Sequence, residues 1–172
     1  GNTTYIETNG IRLLIDAGNS CKYITNKLEN IGILPTDLDA ILLTHTHSDH
    51  VKGLASLVKK TNLKVFILKE MYEEIVKKIP TENINFYEEP MYLEDLKINF
   101  IRISHDVEGV GFIIEDKNSS LVYVTDTGYI NEKYFPLMKN KTLYILESNH
   151  DEEMVMEGPY PYILKQRVLS DH

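Results

Sequence analysis

Between Asp39 and Lys60 an apolar run delivers the chain straight into a cluster of imidazoles and carboxylates. Asp39-Ala40-Ile41-Leu42-Leu43-Thr44 has the length and composition of a buried strand. It opens directly onto His45-Thr46-His47-Ser48-Asp49-His50, after which Leu54, Leu57 and Val58 recur at helical spacing across Val51–Lys60. Strand, polar loop and helix together make the unit of a layered α/β fold. Three histidines and an aspartate within six residues cannot all enter a core, because a buried carboxylate without a partner is costly. At a strand end they reach the rim of a sheet, where loops are free to hold chemistry. Their common use is metal ligation: imidazole suits zinc, manganese and iron, and a carboxylate adds charge and can bridge two ions. The bland alternative, a His-rich surface turn, does not account for the flanking strand and helix.

The rest of the first half repeats the alternation. Gly1 to Thr4 runs into a strand, and Ile11 to Asp16 is an apolar strand closed by the Asp16-Ala17-Gly18 turn. Cys21 to Ile31 has helical spacing and stops near Gly32 and Pro35. Lys64–Leu68 reads as a strand and Glu70–Lys78 as a helix with a solvated Lys/Glu face. The second half changes period. Leu96 to Ile103 alternates every second residue, a half-buried strand. Gly111–Glu115 and Leu121–Val124, joined through Asp116-Lys117-Asn118-Ser119, read as a hairpin. Asn131–Met138 reads as a helix and Leu143–Leu146 as a strand, with helices again at His150–Met156 and Ile163–Leu169. No repeat, linker or low-complexity tract interrupts residues 1–172, so the expectation is a single domain.

Six histidines stand at 45, 47, 50, 105, 150 and 172. The first four fall just past expected strands, and so does Asp126 in Val124-Thr125-Asp126-Thr127-Gly128. That shared placement groups His105 and Asp126 with the first cluster. Asp16, at the end of another strand, suits a carboxylate that orients a ligand histidine, against the plainer reading of a turn residue. Ser48, Thr44 and Thr127 read as loop hydroxyls and as supports behind the ligands rather than as catalysts, since hydroxyls at strand ends usually bond backbone. Lys165 and Arg167 are positioned to meet phosphates or, more simply, to be solvated. Tyr160 and Tyr162 suit either base stacking or a packed loop. Cys21 has no base near it in sequence and reads as inert.

Several segments carry a family resemblance. Leu14-Ile15-Asp16-Ala17-Gly18, the Leu43–Gly53 stretch with its His-x-His-x-Asp-His core, Ser104-His105-Asp106 and Thr125-Asp126-Thr127-Gly128 resemble the metallo-β-lactamase superfamily. Leu146-Glu147-Ser148-Asn149-His150-Asp151, Gly158-Pro159-Tyr160-Pro161-Tyr162 and Leu164-Lys165-Gln166-Arg167 resemble its YycJ/WalJ exonuclease-like subgroup. Thr3, where relatives often carry Cys, and Cys21, where a small residue is usual, depart from the pattern outside these motifs. The resemblance implies a four-layer αβ/βα metallo-β-lactamase sandwich, incomplete at both termini. It implies His45, His47 and His105 on one metal, Asp49 and His50 on a second, and Asp126 bridging the two. A further ligand is expected beyond the end of the chain, with His172 the weaker candidate. His150 is open between a loop residue and one facing substrate or supporting a ligand.

The function implied is a dinuclear metal-dependent hydrolase, a phosphodiesterase or exonuclease acting on DNA through a metal-bridging hydroxide. Its cofactors would be two divalent ions, zinc or manganese, with iron compatible. Asp49 would double as the proton acceptor. Two other classes fit the same residues: a small-molecule thioester or lactone hydrolase of the same fold, and a regulatory module holding metal for folding only. The formal net charge of −8 weighs against recognition of nucleic acid by a basic field, although bound cations would invert the charge locally. No apolar stretch approaches the roughly 20 residues of a membrane span, and one cysteine makes no internal disulfide. What the resemblance implies is nucleic acid, DNA above all, as the partner; no membrane partner is expected, and the cytoplasm is the expected compartment.

Overall fold

The computed structural model describes residues 1–147, 152–159 and 161–171. They form two compact units, Gly1–Glu88 and Glu89–His172.

The first unit is a five-stranded mixed sheet in the order β1-β2-β3-β4-β5, built from Thr4–Thr8, Ile11–Ile15, Ala40–Leu42, Lys64–Ile67 and Ile84–Phe86. β1 and β2 pair antiparallel with Thr8 opposite Ile11, so their loop is Asn9-Gly10 alone. Both residues are left-handed, at φ 50° and 81°, the conformation that a twist-matched two-residue hairpin demands. β2 through β5 are parallel neighbours. Parallel strands need crossovers, and the helices supply them. α1 (Cys21–Glu29) starts at Ser20, whose side chain accepts from the Tyr23 N–H, and buries Ile24, Thr25 and Leu28. It ends two residues before the expected Ile31 because Gly32 turns left-handed at φ 77° and Ile33 N–H reaches back to Leu28 O.

The helix expected over Val51–Lys60 is two helices, α2 (Ser48–Val51) and α3 (Leu54–Thr61). Gly53 separates them. Its N–H donates to Ala17 O at 2.8 Å, and a Cβ there would stand 2.2 Å from Asn19 O. The helix expected over Glu70–Lys78 shortens to a 3-10 turn at Lys69–Met71 and α4 (Tyr72–Ile75), unwinding ahead of Pro80. Leu13, Leu14, Ile15, Ile41, Leu42, Leu43, Leu54, Leu57, Ile67 and Ile75 are sealed from solvent. Three apolar residues in a row on β2 and β3 fit a parallel sheet, whose two faces are both covered.

The second unit is a mixed sheet in the order β10-β9-β8-β7-β6, from Met91–Leu93 (β6), Leu96–Arg102 (β7), Val110–Glu115 (β8), Ser120–Val124 (β9) and Leu143–Leu146 (β10). β6 to β9 are antiparallel and β10 lies parallel to β9. The expected hairpin is β8–β9, its turn held by Asp116 Oδ1 accepting from Asn118 and Ser119 N–H, both at 2.7 Å. Ile101, Ile113, Val122, Val124 and Met138 form one buried cluster, with Ile103, Ile130 and Tyr134 packed against it. Asn131–Met138 is a 3-10 turn (Glu132–Tyr134) leading into α5 (Phe135–Met138), since Pro136 has no N–H to continue an earlier helix. α6 (Glu152–Glu157) and α7 (Tyr162–Asp171) follow β10. The α/β expectation holds in both units. No described helix is long and apolar enough to cross a membrane.

Candidate metal centre

In a parallel sheet the strand C-termini share one rim, and in the first unit this places Asp16, after β2, beside Thr44 and His45, after β3. Asp16 adopts φ 62°, and its N–H donates to Leu42 O at 2.9 Å. The turn puts its carboxylate, fully buried, at the centre of a polar knot. Oδ1 accepts from Thr44 N–H at 2.8 Å, and Oδ2 accepts from the Thr44 hydroxyl and His50 Nδ1, each at 2.7 Å. Thr44 Oγ1 gives its proton to Asp16, which leaves its lone pairs facing His45 Nδ1 at 3.0 Å and His50 Nδ1 at 3.4 Å. The network therefore assigns the proton of both His45 and His50 to Nδ1 and the lone pair to Nε2. Burial holds the Asp16 carboxyl above the usual carboxylate range, while its bonds to His50 and Thr44 pull the other way.

The His45 and His50 rings lie 4.0 Å apart between centroids with their planes tilted by 44°, and His47 meets His45 edge-on at 4.8 Å. One ring nitrogen of His45 lies within 4.8 Å of one from His47, and the same holds for His45 with His50. Asp49 projects its carboxylate outward, 61% exposed, with Oδ2 3.7 Å from His50 Nε2. His45, His47, Asp49 and His50 thus stand at one rim of this unit's sheet. The donors are imidazole nitrogens, two of them backed by the Asp16–Thr44 pair, and a carboxylate at the mouth, which is the donor chemistry of a divalent cation site.

Backbone contacts hold the cluster from behind. Asp49 O accepts from Asn2 N–H at 2.9 Å, and His50 O from Ala17 N–H at 2.8 Å. Gly18 lies so near that an added Cβ would stand 1.7 Å from Asp49 O. Below the rim, buried Tyr87 donates its hydroxyl to Leu43 O at 3.0 Å; burial, then the charge of Asp16, pushes its pKa well up.

In the second unit β7 and β9 both pair antiparallel with β8, so their C-terminal loops sit at one end of the sheet. These loops carry His105 and Asp126. Ser104 N–H donates to Thr127 Oγ1 and Gly128 N–H to Ser104 O, both at 3.0 Å, lacing the loops together. His105 Nε2 is 3.3 Å from Asp106 Oδ1. Asp126 is left-handed at φ 53°, and its N–H is held by the Glu147 carboxylate.

Glu147 and Tyr87 go beyond what the sequence suggested. The Asp16 expectation has its direct counterpart in the bond to His50. Thr44, read as a supporting hydroxyl, donates to the Asp16 carboxylate and lies 3.0 Å from His45 Nδ1. Lys165 spends its ammonium on Met156 O, and the Tyr162 hydroxyl accepts from Gln166 Nε2 at 2.7 Å, so neither residue is shown facing a ligand. Cys21 is a half-buried free thiol at the start of α1. His150, Tyr160, His172 and the Arg167 side chain lie outside the described residues.

Residues 11–167 match the model of the Beta-lactamase superfamily domain. The exodeoxyribonuclease WalJ of Streptococcus pneumoniae serotype 2 (strain D39 / NCTC 7466) is 36% identical over 181 residues, covering 99% of this chain and 66% of that protein. The exodeoxyribonuclease YycJ of Bacillus anthracis is 33% identical over 177 residues, covering 99% of this chain and 67% of that protein. The chain thus spans about two thirds of the length of these curated relatives. Among solved structures, the metallo-β-lactamase-fold protein YhfI of Bacillus subtilis superposes with a TM-score of 0.75 at 22% identity, over 87% of this chain and 64% of that one. The short form of human tRNase Z superposes at 0.70 and 15% identity, over 90% of this chain and 74% of that one. At such identities the likeness establishes the fold.

Proposed function

The chain belongs to the β-lactamase superfamily, and on that footing we propose that it carries the active site of a dinuclear metal-dependent phosphodiesterase that shortens DNA from an end. The observation that carries this is the polar knot under His45 and His50: Asp16 and Thr44 engage Nδ1 of both rings, an arrangement that supports Nε2 as the atom that would hold an ion. In the proposed ligand set, His45, His47 and His105 would hold one ion, Asp49 and His50 the other, and Asp126 would contribute to both. Two bound divalent cations would supply an activated water near neutral pH and offset charge on the phosphoryl oxygens.

The chain's own residues do the rest. Asp16, through Thr44, holds the imidazoles in one tautomer and one orientation, so no reorganisation is needed as substrate arrives. Asp49, exposed at the mouth, accepts the proton of the attacking water at a carboxylate oxygen. The pinned backbone at Asp49 and His50 keeps those two side chains in register with the rings. DNA is favoured as substrate because the relatives aligned across nearly the whole chain are named exodeoxyribonucleases. The proposed compartment is the cytoplasm, which holds that substrate.

The test is cleavage of end-labelled single- and double-stranded DNA and RNA by manganese- or zinc-loaded protein, beside a His47→Ala control. Metal-dependent shortening of DNA, absent in the control, is expected. A protein shown to hold metal that leaves all four nucleic acids intact would overturn the reading.

A further inference from the structure

A groove of about 430 Å³ opens beside His105, lined entirely by residues of the second unit. This lies within the roughly 300–1,000 Å³ of small-ligand sites. Ser104 and Tyr129, from the two loops laced above, are among its lining residues. The Tyr129 carbonyl accepts from Thr127 Oγ1 at 2.8 Å, while the residue itself is 63% exposed. An aromatic on a fastened backbone presents a ready stacking face. Arg102, Lys133 and Tyr134 line the same groove. The Tyr134 hydroxyl accepts from Arg102 N–H at 3.2 Å, and Lys133 Nζ lies 4.8 Å from the Tyr134 ring centroid. Asn131 caps the 3-10 turn by accepting from Lys133 N–H at 3.0 Å, so the lysine leaves the backbone at a fixed point. At the rim Arg102 Nη1 meets Glu108 Oε2 at 3.2 Å, with side chains 40% and 65% exposed. Asp106 also faces the groove, next to His105.

We propose that this groove seats the terminal nucleotide of a single-stranded DNA end, Tyr129 stacking on its base while Arg102 and Lys133 take the flanking phosphate. The assignment rests on the phosphodiesterase reading above and adds where the strand lies. The chemistry is complementary on each count. Every base offers a π-face to a tyrosine ring, which makes stacking tolerant of sequence. A guanidinium in a planar fork and an ammonium match phosphate oxygens. The Arg102–Glu108 pair is no obstacle, because an exposed ion pair is weak and a phosphate competes for the same donors. Glu108 then acts as a brake on affinity. That explains how a chain of net charge −8 handles an anionic polymer: recognition is local, and the global field is spent on neither speed nor tightness.

The experiment is fluorescence anisotropy of a labelled ten-nucleotide single strand in EDTA, where no cleavage proceeds, across a salt series. Kinetics on metal-loaded protein run alongside. Tyr129→Ala should weaken binding about 10-fold while Tyr129→Phe, which keeps the face, binds as wild type. Lys133→Ala should flatten the plot of log affinity against log salt by about 0.7. Glu108→Gln should bind more tightly, a gain that a merely structural role would not produce. With metal, the Ala variants should raise KM and leave kcat in place. Wild-type cleavage with unchanged oligonucleotide affinity in Tyr129→Ala and Lys133→Ala would overturn the groove and leave the phosphodiesterase reading standing. No binding and no cleavage by wild type would overturn both.

Discussion

Asp16→Asn separates what Asp16 does for the fold from what it does for the metal site. The carboxylate is fully buried and accepts three hydrogen bonds, from Thr44 N–H at 2.8 Å and from the Thr44 hydroxyl and His50 Nδ1 at 2.7 Å each. Asparagine has nearly the same shape and can keep its carbonyl on Thr44 N–H. Its amide then points two donors at the Thr44 hydroxyl and His50 Nδ1. The hydroxyl can rotate to accept; the imidazole can accept only by moving its proton to Nε2, which removes the lone pair offered to metal. Metal-free stability should therefore fall by about 1–3 kcal/mol, the scale of one mismatched buried group. Metal affinity should fall about 10–100-fold, the usual effect of losing the partner behind a ligand histidine. Asp16→Ala strands all three donors, at about 1–2 kcal/mol each, for a loss of about 3–6 kcal/mol. That is a large share of the about 5–15 kcal/mol of an ordinary domain. Urea unfolding in EDTA reads the first quantity and calorimetric zinc titration the second. An Asp16→Asn protein that binds zinc as tightly as wild type would refute the tautomer reasoning, whatever its stability.

Other expected outcomes are simpler. Gly18→Ala drives a Cβ to 1.7 Å from Asp49 O, so it should cost at least about 1–3 kcal/mol in urea unfolding and loosen metal binding with it. Gly10→Ala has open space around it and a φ of 81°, so it should cost about 1 kcal/mol in unfolding and leave metal affinity unchanged. Tyr87→Phe removes the hydroxyl from Leu43 O and should lower stability by about 0.5–1.5 kcal/mol. Removing bound metal with EDTA should lower the melting temperature, and manganese or zinc should restore it in wild type but much less in His45→Ala.

The parts of the fold legible in the sequence were those with long-range pattern. β3 running into the His-x-His-x-Asp-His turn, the two-period of β7 and the β8–β9 hairpin were each visible from residue type and spacing. What escaped was set by tertiary contact. The break between α2 and α3 follows from Gly53 lying against Asn19 and Ala17, more than thirty residues earlier in the chain, which no local pattern reports. β5 and β6 have three residues each, too short for any period to register. At the site, histidines at strand ends announced themselves, and Asp16 was legible as a supporting carboxylate. Thr44 was legible as a supporting hydroxyl, but its partner was not, because only the parallel pairing of β2 with β3 brings Asp16 alongside. The groove residues Arg102, Tyr129 and Lys133 come from the end of β7, a loop and a 3-10 turn, and carry no motif at all.

The most direct test of the central claim is anomalous diffraction from a crystal of the protein grown with manganese. Two peaks about 3.5–4 Å apart are expected, one against His45, His47 and His105 and one against Asp49 and His50, with Asp126 touching both. Anomalous peaks confined to other residues, or none at these six, would contradict it.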